Sequence, residues 1–397
     1  MSWNASTHQQ RLKFVCLASE GGNVNFRALC RKFCISAPTG YKWLARYRAV
    51  GANGLHELSR KPLRSPNRAP SRWRNELFAL RRKHPTWGVK KLRVMLERGH
   101  PRTRKLPALR TLGRWLKAAG LTVPRPPRNR PGPQVRPPAL SKARRPNDVW
   151  TIDFKGWFRT ADGQRADPLT IRDLLSRYLL CTTLVPHQSD SCVRRIMTRL
   201  FKTHGCPRII RIDNGSPFAG IGALSLSTLS VWWLRLGIKV EIIRRGKPQD
   251  NGAHEQMHRV LKTETASPPA PNLRAQQRRL DRWRTLYNTQ RPHEALHGRS
   301  PLALYRRSSR HFHVPTPPRY PKTWITRHVR PNGWIKFEGN LRFIGRAFAR
   351  QWIALQPASE GCWNVLLGRL LIGTLHRGDG CASMRAATFN PSLLHKV

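Results

Sequence analysis

The chain has 397 residues, with 74 Lys and Arg against 20 Asp and Glu, a formal net charge of +54. Apolar residues make up 39%, including 14 Trp and 13 Phe, which excludes a globally disordered chain and supports roughly two to four packed domains. Charge of this size calls for a polyanion, and nucleic acid fits best. A ribosomal-type protein, a membrane-surface binder or an arginine-rich genome are the plainer readings of charge alone.

The eight cysteines, Cys16, Cys30, Cys34, Cys181, Cys192, Cys206, Cys362 and Cys381, include no C-x-x-C pair. They are expected to be reduced core thiols, and His311-x-His313 without cysteines nearby does not make a structural zinc site. Residues 1–14 lack the apolar stretch of a signal peptide, and no apolar run reaches the ~18 residues that would span a bilayer. A soluble, cytoplasmic or nucleoid-associated protein with no membrane partner is expected.

Residues 8–58 read as a helical module. Phe26, Leu29, Cys30 and Phe33 recur at helical spacing, Cys34-Ile35-Ser36 breaks the run, and Pro38 suits the first turn of the next helix. That is helix-turn-helix spacing, with Lys42 and Arg46 on one face of the second helix as candidate DNA contacts; an ordinary helical hairpin with a solvated basic face is the alternative. A Pro- and Arg-rich linker is expected at 59–70. Residues 71–121 form a second helical unit, in which Thr111 to Leu116, carrying Arg114, could be a further recognition helix. Residues 122–146 hold eight prolines and many arginines, a basic semi-rigid tether.

The segment 147–308 changes character. Strands are expected at 149–158, twice within 167–185, at 208–212 and at 239–243, and helices at 190–204, 229–236, 254–264 and 273–290. Strands first and then alternation of helix and strand indicate an α/β domain with a mixed sheet. Short β-like runs at 334–337, 341–344, 351–355, 363–367 and 370–375, punctuated by glycines, suggest a small all-β barrel within 320–378, followed by a tail at 379–397.

Acid is scarce here, so a carboxylate among apolar strand residues needs a local reason. Asp153 lies in Trp150-Thr151-Ile152-Asp153-Phe154, Asp213 in Ile212-Asp213-Asn214-Gly215, and Glu255 in Asn251-Gly252-Ala253-His254-Glu255. Phosphodiester cleavage needs an activated oxygen and neutralised phosphorus oxygens, which two divalent ions about 4 Å apart can supply. Carboxylates from two strand ends and a helix start could converge to hold such ions, and Mg²⁺ prefers hard oxygen ligands.

These stretches, together with Lys247-Pro248-Gln249-Asp250-Asn251-Gly252 and the trailing Tyr287-Asn288-x-x-Arg291-Pro292-His293-x-Ala295-Leu296, resemble the integrase-core DDE transposases of bacterial insertion sequences, relatives of retroviral integrases. The resemblance covers about 145–308. It implies an RNase H-like catalytic core and Asp153, Asp213 and Glu255 as metal ligands and catalytic residues. It implies a cofactor of two Mg²⁺ ions that Mn²⁺ can replace. It also implies binding of terminal inverted repeats on double-stranded DNA, cleavage of the ends, their joining to target DNA, and a homodimer or larger assembly. A DNA-binding protein with retired ligands and an RNase H-fold nuclease that cuts without joining are the alternatives.

The interval between Asp213 and Glu255 exceeds the 35 residues usual for the motif, and counting alone would favour Asp250. Asp250 and Asn251 sit where a helix N-cap belongs, which leaves Glu255 about one turn inside as the expected ligand. Arg259 and Lys262 follow at i+4 and i+7 on the same face and are candidate contacts to a DNA end, or a solvated basic face. His254 and His258 are expected to face DNA or to pack, and Trp232 and Trp233 to lie in the core. Asp148, Asp173, Asp190 and Glu241 are expected to be caps, turns or surface charge.

Overall fold

The computed structural model describes residues 8–20, 25–59, 69–103, 106–122, 140–220, 222–244, 248–379 and 383–387. The expected linkers at 59–70 and 122–146 and the tail at 379–397 fall largely outside them. The chain divides into two compact units, 1–69 and 70–397.

In the first unit, α1 (His8–Ser19), α2 (Phe26–Lys32) and α3 (Ala37–Val50) enclose Phe14, Val15, Leu29, Cys30, Trp43 and Leu55. Asn25 caps α2, its side chain accepting the Ala28 N–H, and Ser36 caps α3 through the Thr39 N–H, with Pro38 in the first turn. The turn between α2 and α3 is tight. A Cβ on Gly40 would meet the Cys30 Sγ at 2.7 Å, so glycine lets the two helices approach. This is the helix-turn-helix arrangement that the spacing predicts.

The second unit begins with α4 (Ser71–Lys83), α5 (Val89–Gly99) and α6 (Leu109–Ala118), packed on Trp73, Leu77, Trp87, Leu92, Leu96, Leu112 and Leu116. The mixed sheet follows, from β1 (Val149–Phe154), β2 (Phe158–Arg159), β3 (Arg165–Asp173), β4 (Leu179–Val185), β5 (Ile209–Ile212) and β6 (Lys239–Ile242). β3 pairs antiparallel with β1 and β4, while β5 runs parallel to both β1 and β6. The helices are α7 (Asp190–His204), α8 (Thr228–Arg235), α9 (Gly252–Thr265), α10 (Leu273–Thr289) and the short α11 (Pro301–Leu304). The single strand expected at 149–158 is interrupted. Phe154 pairs with Leu169 and Phe158 with Ala166, so one extra residue bulges at 155–157, where Gly156 takes φ +81°.

The last region is all-β: β7 (Ile325–His328), β8 (Trp334–Phe337), β9 (Asn340–Phe343), β10 (Trp352–Ser359), β11 (Cys362–Leu367), β12 (Leu370–His376) and β13 (Arg385–Ala386). Its main sheet runs β13-β12-β11-β10-β7, with β8 and β9 as a separate hairpin. The sequence did not suggest β7 or β13. Its apolar residues join those of the central sheet in one continuous core that includes Trp232 and Trp233, as expected. Of the seven described free cysteines, Cys30, Cys181, Cys192 and Cys206 are buried, but Cys16 and Cys34 are exposed rather than core thiols. Among the described residues no helix is long and apolar enough to cross a membrane.

Candidate metal centre and nucleic-acid contacts

Alternation along β1 and β3 builds two unlike faces. Asp153 lies directly opposite Thr170 and Thr151 opposite Arg172, so these four side chains share one face of the ribbon. Their neighbours Trp150, Ile152, Leu169 and Ile171 enter the apolar core instead. α9 covers the polar face.

Burial, then the charge of Asp213, and to a lesser degree that of Glu255, push the Asp153 carboxyl up from 3.8 to about 7, against the opposing pull of the Phe154 N–H and Lys155. The three acids are therefore electrostatic neighbours. Asp213 follows β5 directly, and its carboxylate accepts the Gly215 N–H at 3.2 Å. A Cβ at Gly215 would sit 3.0 Å from that carboxylate, so the turn is tight at this point. Asn214 donates to the Ile243 carbonyl at 2.6 Å and ties the turn to the chain after β6. Glu255 is exposed in the first turn of α9. Among the described residues none of the three has a Lys or Arg within ion-pair distance; Asp153 has only the His258 Nδ1, at 3.7 Å. Acids whose charges raise one carboxyl in this way suit a divalent cation, which removes the repulsion, although among the described residues Asp213 and Glu255 are not in the close group of ligand atoms around Asp153.

A hydrogen-bond relay lies beneath Asp153. The Thr170 hydroxyl donates to the Asp153 carbonyl at 3.0 Å and meets the Nε2 atoms of His254 at 2.7 Å and His258 at 2.6 Å. With its proton given to the carbonyl, Thr170 must accept from both rings, so both histidines carry their hydrogen on Nε2. The His254 Nδ1 then accepts from the Thr151 hydroxyl at 2.8 Å. His254 and His258 are buried, and burial pushes both well down, His258 to about 3. They pack rather than face DNA. Asp153, His254 and His258 also form a group whose ligand atoms lie within 4.8 Å of one another. The relay was missed in the sequence, although the period-2 polar residues of the strands and the i, i+4 histidines were its visible signs.

The other acids are committed elsewhere. Asp250 is buried and accepts from the Arg244 Nε at 3.0 Å and Nη2 at 2.9 Å, which holds its carboxyl below the usual range. Neither it nor Asn251 makes the expected cap: Asn251 occupies the position before α9 without a side-chain cap bond. Glu241 is not surface charge. It is buried 2.6 Å from the Arg211 Nε, and both groups also bond the Ser141 backbone. Asp173 is buried too, accepting the Asn147 and Ser176 N–H groups. Asp148 holds a turn at Arg144 and Arg145, as expected, and Asp190, in the first turn of α7, accepts from the Thr228 hydroxyl.

Of the basic candidates, Lys42, Arg114, Arg259 and Lys262 are exposed. Arg46 is half-buried, its guanidinium 5.1 Å from the Trp43 ring centroid, with Lys42 at 4.9 Å from the same ring. Lys155 was not singled out in the sequence. Burial, then Lys262, lower its pKa while Asp153 opposes them, which makes Lys155 an electrostatic neighbour of both Lys262 and Asp153.

Two stretches match the integrase core domain family, 143–248 and 236–301. Residues 10–62 match a helix-turn-helix domain and 39–116 a homeodomain-like domain. An uncharacterized 31.7 kDa protein of insertion element IS407 from Burkholderia multivorans is 27% identical over 226 residues, 57% of this chain and 77% of that protein. An uncharacterized 39.2 kDa protein of insertion element IS476 from Xanthomonas euvesicatoria is 29% identical over 161 residues, 40% of this chain and 44% of that protein. Among solved structures, the HTLV-2 integrase catalytic core domain in complex with magnesium is 14% identical, covering 42% of this chain and 100% of that one, with a TM-score of 0.31. A chain of the simian T-cell lymphotropic virus intasome is 17% identical, covering 79% of this chain and 100% of that one, with a TM-score of 0.36.

Proposed function

We propose that this chain, which belongs to the integrase-core transposases of bacterial insertion sequences, binds the terminal inverted repeats of its element, cuts the DNA ends and joins them to a target. Asp153, Asp213 and Glu255 are the ligands in this reading. Two Mg²⁺ ions held by them, with Mn²⁺ able to replace Mg²⁺, supply charge neutralisation at phosphorus and acidity at a water molecule. The observation that carries the reading is that Asp213 and Glu255 both act on the Asp153 carboxyl and that, among the described residues, none of the three pairs with a Lys or Arg, in a chain with 74 of them.

The chain's own groups do the rest. Thr170 fixes the Asp153 backbone, and the histidines fix Thr170. Lys155, Arg259 and Lys262 draw the end phosphates toward the acids. Lys42 and Arg46 on α3 and Arg114 on α6 read the repeats. Functional boundaries follow at 8–58, 71–121, 147–308 and 320–378. The C-terminal region acts as a small barrel that clamps DNA or a second subunit, its β8–β9 hairpin reaching the main sheet through the Met384 N–H bonded to the Phe343 carbonyl and Arg327 to the Lys336 carbonyl. Two ends must be held together, so the working form is a homodimer or larger assembly on DNA, in the bacterial cytoplasm at the nucleoid.

A strand-transfer assay with element-end DNA and Mg²⁺ tests this. Joining that is lost in Asp153→Asn supports it. Cutting without joining points to a nuclease, and binding with neither reaction sinks the enzymatic reading.

A further inference from the structure

Behind α9, on the side away from the acid cluster, a cavity of about 160 Å³ is lined by Lys91, Arg172, Arg177, Tyr287, Arg291 and His293, with the first turn of α9 as one wall. It draws on the trailing Tyr287–Leu296 motif, whose residues the proposed chemistry leaves unused. Arg172 is 1% exposed, yet only its Nη1 has a partner, the Ala253 carbonyl. Its Nε and Nη2 are buried without any, and so is the Nε2 of His293.

The charge here is not balanced. Among the described residues neither Arg172 nor Arg177 makes an ion pair. The carboxylates nearby are engaged elsewhere: Glu264 holds the Arg291 Nη1 at 2.7 and 3.0 Å, Glu294 holds Lys90 at 2.5 Å, and Asp173, whose charge reaches Arg172, accepts from the Asn147 N–H and from Ser176. His293 registers the convergence. Burial first, then Arg291, Lys91, Arg172 and Arg177, push its pKa down to about 3. A buried guanidinium with unmade bonds and no ion-pair partner is costly, and an anion with several acceptor lone pairs removes both costs together. The cavity exceeds the ~30 Å³ share of one water several-fold, enough for a small oxyanion with water.

We propose that this cavity is a binding site for a tetrahedral oxyanion, a phosphate group held by Arg172 and Arg177. The site touches the helix that carries Glu255, so an occupant steadies that helix from behind. The phosphate can be free in solution or belong to a DNA backbone.

Thermal unfolding of the full chain tests the site, with sodium phosphate replacing sodium chloride at constant ionic strength. The wild type gains Tm saturably with phosphate. Arg172→Met melts above the wild type in chloride, and its phosphate-dependent gain falls at least ~3-fold. Arg177→Gln, at a half-buried position, lowers the same gain and covers the case in which Arg172→Met does not fold. Repeating the titration on the DNA-bound protein identifies the source: a gain that vanishes assigns a backbone phosphate, and a gain that persists assigns free phosphate. Equal gains in wild type and both variants mark diffuse binding to the basic surface and overturn the site. So does an Arg172→Met protein that melts below wild type in chloride beside an unchanged Arg177→Gln.

Discussion

Glu241 and Asp250, on and after β6, each lie against a guanidinium, whereas Asp153 feels the charges of Asp213 and Glu255, and among the described residues none of these three pairs with a Lys or Arg. Glu241 and Asp153 stand on strands of one sheet, and both sets share one excess of arginine. What differs is the partner. A buried carboxylate paired with Arg211 or Arg244 is a structural clip, pinning Ser141 in one case and the chain before α9 in the other. A carboxylate left among other carboxylates in so basic a chain is held at a cost, and function is the usual reason for such a cost.

The largest expected contrast is catalytic. Asp153→Asn should lower strand transfer by at least about 10³-fold, because a neutral amide cannot hold a divalent ion as a carboxylate does. The same change should raise the stability of the metal-free protein at pH 8. The Asp153 carboxyl is raised from 3.8 to about 7. The unfolded chain therefore loses this proton first as pH rises, so folding is penalised between those values and the full penalty remains above about 7. Removing it is worth about 2–4 kcal/mol at pH 8 and nothing below pH 4, measurable by denaturant unfolding at both. Arg211→Met inverts the pattern: it strands buried Glu241 and should destabilise the protein by about 3–5 kcal/mol, pH-dependently, without a direct effect on metal binding.

Thr170→Val comes next. It leaves the Asp153 carbonyl and two histidine N–H groups without their common partner, and turnover should drop about 10- to 100-fold, while Thr170→Ser stays within a few-fold of wild type. Equal behaviour of the two variants would show that the relay does not position Asp153. The smallest effect is the pH profile of divalent-ion affinity. It should rise up to about tenfold per unit toward pH 7 and flatten above, as the Asp153 proton ceases to compete. A flat profile from pH 5 to 8 by calorimetry would separate Asp153 from the ion.

Much of this contrast was legible in the sequence, and its limits have physical causes. α7 ends where its polar and apolar periodicity ends, and the strand around Asp153 is plain from its apolar neighbours. The break at 155–157 was not visible, because a bulge depends on what β3 offers opposite. Glu241 was misread for a related reason. Its partner Arg211 is 30 residues away and meets it only through the parallel register of β5 and β6. Asp250 sat at a plausible cap position, but the Arg244 side chain reaches it first. The edge strands β7 and β13 are short and carry little alternation, so only pairing reveals them.

The most direct test of the distinction between paired and unpaired acids is divalent-ion binding by calorimetry on the wild type and on Asp153→Asn, Asp213→Asn, Glu255→Gln and Asp250→Asn. The expected result is binding lost or strongly weakened in the first three variants and retained in Asp250→Asn. Retention in Glu255→Gln with loss in Asp250→Asn would contradict it and move the third ligand to the acid that Arg244 now holds.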